Sequence, residues 1–226
     1  TQELLVDPVT LLYSGFIGGA SDEEAFGIAV DAAGNAYVTG WTTSSEATFP
    51  ITVGPDLTYN MGSTYGDAFV AKINAAGTGL DYCGYIGGSQ NEQGFGIAVD
   101  ASGNAYVRGV TNSSEASFPV TVGPDLTYSG SNDHFVAKIN AAGTDLDYCG
   151  YIGGAQMEDT GGAIAVDSAG CAYVTGRTYS TEATFPVTVG PDLTYSGGDG
   201  EAYVAKVNPA GTALDYCGYI GGSGAD

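Results

Sequence analysis

The chain has 226 residues with five Lys and Arg against 26 Asp and Glu, a net charge of −21, yet only 14% of positions are charged and 43% are hydrophobic. That composition supplies a core and excludes a disordered acidic tail, and five basic side chains leave no footprint for a nucleic-acid phosphate backbone. Glycine fills 37 positions, more than twice its usual share of about 7%, with no collagen-like triplet period, and no apolar run approaches the roughly 20 residues of a membrane span.

The chain starts at Thr1 without an initiator Met and shows no signal-peptide n-region or h-region. It reads either as a chain whose leader has been removed or as a segment of something longer. Residues 1–19 form an extension ending in the strand Leu11-Leu-Tyr-Ser-Gly-Phe-Ile-Gly-Gly19. Three near-identical units follow, at 20–88, 89–154 and 155–222, and 223–226 reads as the start of a further repeat or a tail.

Each unit opens on a short apolar strand: Gly27-Ile-Ala-Val-Asp31, Gly96-Ile-Ala-Val-Asp100 and Ala163-Ile-Ala-Val-Asp167. A turn comes next, Asp31-Ala-Ala-Gly-Asn35 in the first copy, where Asp bonds its own backbone and Gly34 takes positive φ. The second strand starts Ala36-Tyr-Val-Thr-Gly40, and a Phe-Pro pair and Thr-Val-Gly-Pro-Asp-Leu-Thr-Tyr stretch lead away from it. The third strand alternates, as in Phe69-Val-Ala-Lys-Ile73, and the fourth is Leu-Asp-Tyr-Cys-Gly-Tyr-Ile. No stretch carries helical periodicity free of Gly and Pro. The chain is all-β, and four short antiparallel strands in tandem predict β-propeller blades.

The Gly-Ile-Ala-Val-Asp-x-x-Gly-Asn-x-Tyr-Val run resembles the first two strands of NHL-type blades. The whole unit, with its Phe-Pro, Ala-x-Val-Ala-Lys and Tyr-x-Gly-Tyr-Ile-Gly-Gly marks, is similar to the SBBP family of bacterial propeller repeats over about residues 11–226. The resemblance implies a secreted or surface-attached propeller of about seven blades, generally without known catalysis.

Fourth strands number four, whereas the first three strands occur three times each. The surplus strand, with Leu11, Leu12, Tyr13, Phe16 and Ile17, is therefore the candidate inter-chain strand, and residues 8 to 18 are expected to pair with another chain. The expected partners are self-association or further blades of a longer chain, in a ring or a filament.

The residues offer little chemistry. Cys83, Cys149 and Cys217 share one repeat position, so blade widths separate them and a bridge within the chain is not expected. Cys171 replaces the turn Asn, and all four read as free or buried thiols. His134 stands where the other copies have Ala68 and Ala202, and reads as a solvent-facing residue at a strand end. No nucleophile elbow or paired-carboxylate signature points to an enzyme. Asp22-Glu-Glu24, Glu92 and Glu158-Asp159 fall in one inter-blade loop and read as solvated acids, with calcium as the alternative and no other cofactor expected.

Ligand contacts belong where the copies differ. Trp41, Val110 and Arg177 share one position, and Arg108 replaces Thr39 and Thr175. Trp41, Arg108 and Arg177 are thus the candidate contacts for a glycan or surface ligand, unless Trp41 packs between blades. The loops Asn60–Asp67, Ser129–Asp133 and Ser196–Gly200 vary too, and Asn112-Ser-Ser114 fits an N-glycosylation acceptor. The sequence reads as a non-enzymatic, extracellular or cell-surface scaffold or adhesive element that self-assembles. Its rival is a lectin-like or calcium-dependent binding module.

Overall fold

A computed structural model describes residues 11–61 and 64–224. Its twelve strands form three four-stranded antiparallel sheets. Blade 1 holds β1 (Glu23–Val30), β2 (Ala36–Thr42), β3 (Asp67–Ile73) and β4 (Leu80–Ile86). Blade 2 holds β5 (Glu92–Val99), β6 (Ala105–Thr111), β7 (Asp133–Ile139) and β8 (Leu146–Ile152). Blade 3 holds β9 (Ile164–Val166), β10 (Ala172–Thr178), β11 (Glu201–Val207) and β12 (Leu214–Ile220). Within each sheet the strands lie in chain order, every neighbour joined by a hairpin or loop. Among the first strands, β1 packs beside β5 and β5 beside β9.

The β1–β2 turn is built as its residues predict. The Asp31 carboxylate accepts from the Ala33 and Asn35 amides at 2.9 and 3.0 Å, and from Asn35 Nδ2 and Tyr37 OH at 2.8 and 3.0 Å. Gly34 closes the turn at φ 87°. These bonds to the ionised form, Asn35 foremost, hold Asp31 down at about 2.

The stretch after each Phe-Pro pair does more than connect. Thr52 N–H donates to Cys83 O, Cys83 N–H to Val53 O and Tyr85 N–H to Asp56 O, so residues 52–56 run along the outer edge of β4. Residues 121–125 cover β8 and 188–192 cover β12 in the same way. The outer edge of every blade is thereby closed to strand addition.

The core sits between blades. One buried cluster joins Tyr37, Val70, Tyr82 and Ile86 of blade 1 to Val107, Phe135, Ala137 and Tyr151 of blade 2. A second joins Tyr106, Val136, Tyr148 and Ile152 of blade 2 to Val174, Tyr203, Ala205 and Tyr219 of blade 3. Every blade thus has a back face, carrying the Tyr37 and Tyr82 positions, and a front face, carrying the Phe69 and Tyr85 positions. Blade 1's front face and blade 3's back face have no blade against them among the described residues. Ile28 there is 70% exposed where Ile97 is 8%, and Ile220 is 52% exposed where Ile86 and Ile152 are fully buried.

Residues 11–19 form no ladder with the rest of the described chain. They nonetheless hold the place of a fourth strand on blade 1's front face. The Tyr13 ring lies against Gly77 as Tyr82 lies against Gly143 and Tyr148 against Gly211, 2.2–2.3 Å from where a Cβ would be. Ser21 N–H donates to Ser44 Oγ at 2.9 Å, as Gln90 N–H does to Ser113 Oγ. Leu11, Leu12 and Phe16 stay exposed, and Ile17 packs on the Phe49–Tyr85 cluster. Residues 8–10 of the segment expected to pair with another chain, and residues 225 and 226 of the tail, lie outside the described residues.

Candidate functional site

Three departures from the repeat meet at the junction of blades 2 and 3. Arg108 on β6, His134 on β7 and Tyr203 on β11, where the other copies carry Phe69 and Phe135, are all fully buried. Gly176 on β10 makes the room: a Cβ there would lie 2.5 Å from Arg108 Nη2 and 2.7 Å from His134 Cε1. His134 is therefore no solvent-facing strand end. The missing side chain across the junction lets it inside.

Both nitrogens of His134 are engaged, Nε2 with the Asp159 carbonyl at 2.8 Å and Nδ1 with the Tyr203 hydroxyl at 2.7 Å. A carbonyl only accepts, so Nε2 carries the proton and Nδ1 receives the hydroxyl's. Burial first, then the Arg108 charge, holds its pKa well below the usual histidine value. A neutral imidazole with both nitrogens occupied has no lone pair free for acid–base work. Arg108 stacks over Phe95 at 6.0 Å, and the Tyr203 hydroxyl is the polar group beside its guanidinium, which makes no well-formed hydrogen bond.

The other candidate contacts are separate from this cluster. Trp41 is half-buried and meets Tyr65 edge-on at 5.5 Å. Arg177 pairs with Asp159 at 3.6 Å and lies over Tyr179 at 5.0 Å. Trp41 and Arg177 share a repeat position on different blades, while Arg108, two positions earlier, points into a junction. The three do not form one surface. Asn112 Nδ2 donates to Ser131 O at 2.9 Å and to Asn132 Oδ1, so a glycan, which replaces one of its two hydrogens, would remove one of these bonds.

A second set of polar groups recurs at the junctions. Asp67 at the start of β3 and Glu92 at the start of β5 are fully buried, as are Asp133 and Glu158 one junction on. The reading of Glu92 and Glu158 as solvated loop acids is thus corrected. Desolvation, reinforced by Glu92, pushes Asp67 up to about 7. Asp133 and Glu158 interact across the junction, and burial raises both above the carboxylate range. Sequence reasoning missed these pairs, although an acid begins the third strand in every copy (Asp67, Asp133 and Glu201).

The four cysteines are free and buried, and desolvation pushes Cys83 and Cys217 up to about 12. No group of three or more metal-ligating side chains is assembled among the described residues. An apolar groove of about 360 Å³ opens between residues 13–17 and blade 1, lined by Phe16, Ile28, Val38 and Leu80. Among the described residues, no helix is long and apolar enough to cross a membrane.

The sequence model of one family, described as "Beta-propeller repeat" (SBBP), matches residues 12–46, 84–115 and 148–182. No curated protein matches. Each matched stretch begins in a fourth strand and runs through the next blade's first two strands, so the family unit straddles the junctions where the core lies.

Proposed function

The repeats of this chain belong to the SBBP β-propeller repeat family, and from that premise we propose that it is a non-enzymatic structural module of an extracellular surface, joining blade face to blade face with a second copy of itself. One observation carries the reading. Blade 1's front face and blade 3's back face bear the same side chains that are buried against each other at both internal junctions. The outer edges are closed by the chain's own loops, so growth proceeds through faces.

Residues 11–19 and β12 are alternatives for one place in such a joint. Their sequences match, Leu-Leu-Tyr-Ser-Gly-Phe-Ile against Leu-Asp-Tyr-Cys-Gly-Tyr-Ile, so exchange costs little. One completes the sheet and the other is released. The joint is head-to-tail, giving a six-blade ring if two copies close and a fibre if they do not. Surface location follows what the family resemblance implies, and antibody labelling of unpermeabilised source cells checks it.

Light scattering with negative-stain microscopy tests the assembly. A particle of twice 22.8 kDa or an extended fibre is expected. A chain that stays at 22.8 kDa over all concentrations overturns the reading.

A further inference from the structure

We propose that Glu23 and Glu201 are the two halves of an inter-blade carboxylate pair, and that joining the face of one copy to the face of a second closes the pair with uptake of one proton. The inference rests on the face-to-face reading above and names what regulates it.

The internal junctions supply the pattern. The acid at the start of the third strand accepts one backbone N–H from the loop before it and keeps its other oxygen free. Asp67 Oδ2 accepts from Asn60 N–H and Asp133 Oδ2 from Ser129 N–H, both at 2.8 Å, while both Oδ1 atoms are buried without a partner. The acid at the start of the next blade is held by that blade's second strand. Glu92 Oε1 accepts from Thr111 Oγ1 at 2.6 Å and Glu158 Oε1 from Thr178 Oγ1 at 2.9 Å. Glu92 Oε2 accepts a further bond from Gly88 N–H at 2.8 Å, whereas Glu158 Oε2 is buried and unpaired. Two acceptors facing each other in a dry junction cannot both stay charged and unbonded. A proton on one, donated to the other, satisfies both.

Each open face repeats one half. Glu201, at the start of β11, is fully buried, accepts from Ser196 N–H through Oε1 and leaves Oε2 without a partner, as Asp67 and Asp133 do. Glu23, at the start of β1, accepts from Thr42 Oγ1 through Oε1 at 2.9 Å, as Glu92 and Glu158 do from their threonines. Among the described residues Glu23 meets no acid of a preceding blade and Glu201 none of a following one. A second copy brings the two together. The proton comes from solvent: one carboxylate becomes a carboxylic acid and hydrogen-bonds the other.

The charges around the pairs are mostly acidic, which adds to the demand for a proton. Asp56 bears on Asp67 and Asp125 on Asp133. Asp192 holds the matching place beside Tyr219 in blade 3, and Arg177, tied to Asp159, lies one register step from Glu201 on β10. Asp22 and Glu24 flank Glu23.

The test is sedimentation equilibrium of the full chain at pH 5.5 and 8.0, for the natural chain and for Glu201→Gln, Glu23→Gln and Glu24→Gln. The natural chain is expected to associate less tightly at the higher pH, by up to about tenfold per pH unit, since one proton is taken up per joint. Glu201→Gln and Glu23→Gln carry a permanent amide donor and associate alike at both pH values. Glu24→Gln removes the same charge from an exposed neighbour and keeps the natural pH dependence, which separates the pair from general repulsion. Thermal melts confirm that each variant is folded. Association that is equal at both pH values in the natural chain, or that stays pH-dependent in Glu201→Gln, overturns the proton link and leaves face-to-face joining intact. A chain that never associates overturns both.

Discussion

Arg108 concentrates the energetic tension of the fold in one side chain. Its guanidinium is fully buried with only the Tyr203 hydroxyl beside it and no well-formed hydrogen bond, whereas Thr39 and Thr175 at the same repeat position donate to the Phe69 and Tyr203 carbonyls at 2.7 and 2.8 Å. Desolvating an unpaired cation costs several kcal/mol, and the cavity left by shortening the side chain costs about 24 cal/mol per Å³. Arg108→Thr is therefore expected to stabilise the chain, by about 1–3 kcal/mol in urea denaturation. A loss of stability would mean that the guanidinium finds its compensation in the Phe95 and Tyr203 rings. Two aspartates show the opposite senses of the pH response. Asp67, raised to about 7, binds a proton in the folded chain that the unfolded chain has already released. Its contribution is full below the unfolded value near 4 and is lost as pH climbs to about 7, a fall of at most about 4 kcal/mol. Asp31, held at about 2, works in the opposite sense, and its contribution disappears as pH drops from about 4 towards 2. Melting temperature against pH should peak near pH 4–5, and Asp67→Asn should make the neutral limb shallower without removing it, since Asp133 and Glu158 act in the same sense, and should leave the acid limb unchanged.

At the scale of strands and turns, much was legible because the repeat restates each element three times. The turn at Asp31-Ala-Ala-Gly-Asn35 and the alternation in Phe69–Ile73 each rest on residues adjacent in the chain, and local chemistry is what a sequence displays. The edge strip after Phe-Pro was not legible. Gly54 and Pro55 break its alternation, so it reads as a connector, yet Gly54 lets the strip approach Gly84 so closely that a Cβ would lie 2.5 Å from its Cα. The burial of His134 was hidden for another reason: it depends on Gly176, a residue of the next blade. The carboxylate pairs fall between these cases, with each acid visible and its opposite number supplied only by the packing of blades. The blade-to-blade contact can be tested at a single glycine. Gly143 has φ 75° and the Tyr82 ring 2.3 Å from where a Cβ would be. Gly143→Ala adds left-handed strain to an inter-blade clash and should cost about 2–4 kcal/mol by denaturant titration. The same change at Gly34, whose nearest neighbour is 3.5 Å from the Cβ site, meets the strain without the clash and should cost about 1 kcal/mol.

For the whole molecule, the net charge of −21 sits on a chain with only five basic side chains. Lys72, Lys138 and Lys206 are already committed, lying over Tyr37, Tyr106 and Tyr173 at 5.4–5.5 Å and pairing with Asp81, Asp147 and Asp215 at 3.3–3.6 Å. Two copies joining as proposed would approach through like charge. Raising the salt from 20 to 500 mM, which shortens the Debye length from about 20 to about 4 Å, should tighten association by about tenfold or more in sedimentation equilibrium. Association that weakens with salt would place ion pairs, rather than apolar faces, at the joint. The fold class was plain from composition and period. The proposed joint was not, because two ordinary blade faces carry no sequence mark that sets them apart from the internal junctions.

The Tyr–Gly contact repeated at Gly77, Gly143 and Gly211 has a consequence for how such a chain changes length over generations. Because every blade presents the same socket forward and the same ring backward, copying an interior blade creates a seam whose halves already fit. Whole units can be gained or dropped without repacking a core, whereas an insertion of half a unit leaves a ring without a socket. The gene can grow only in steps of one blade.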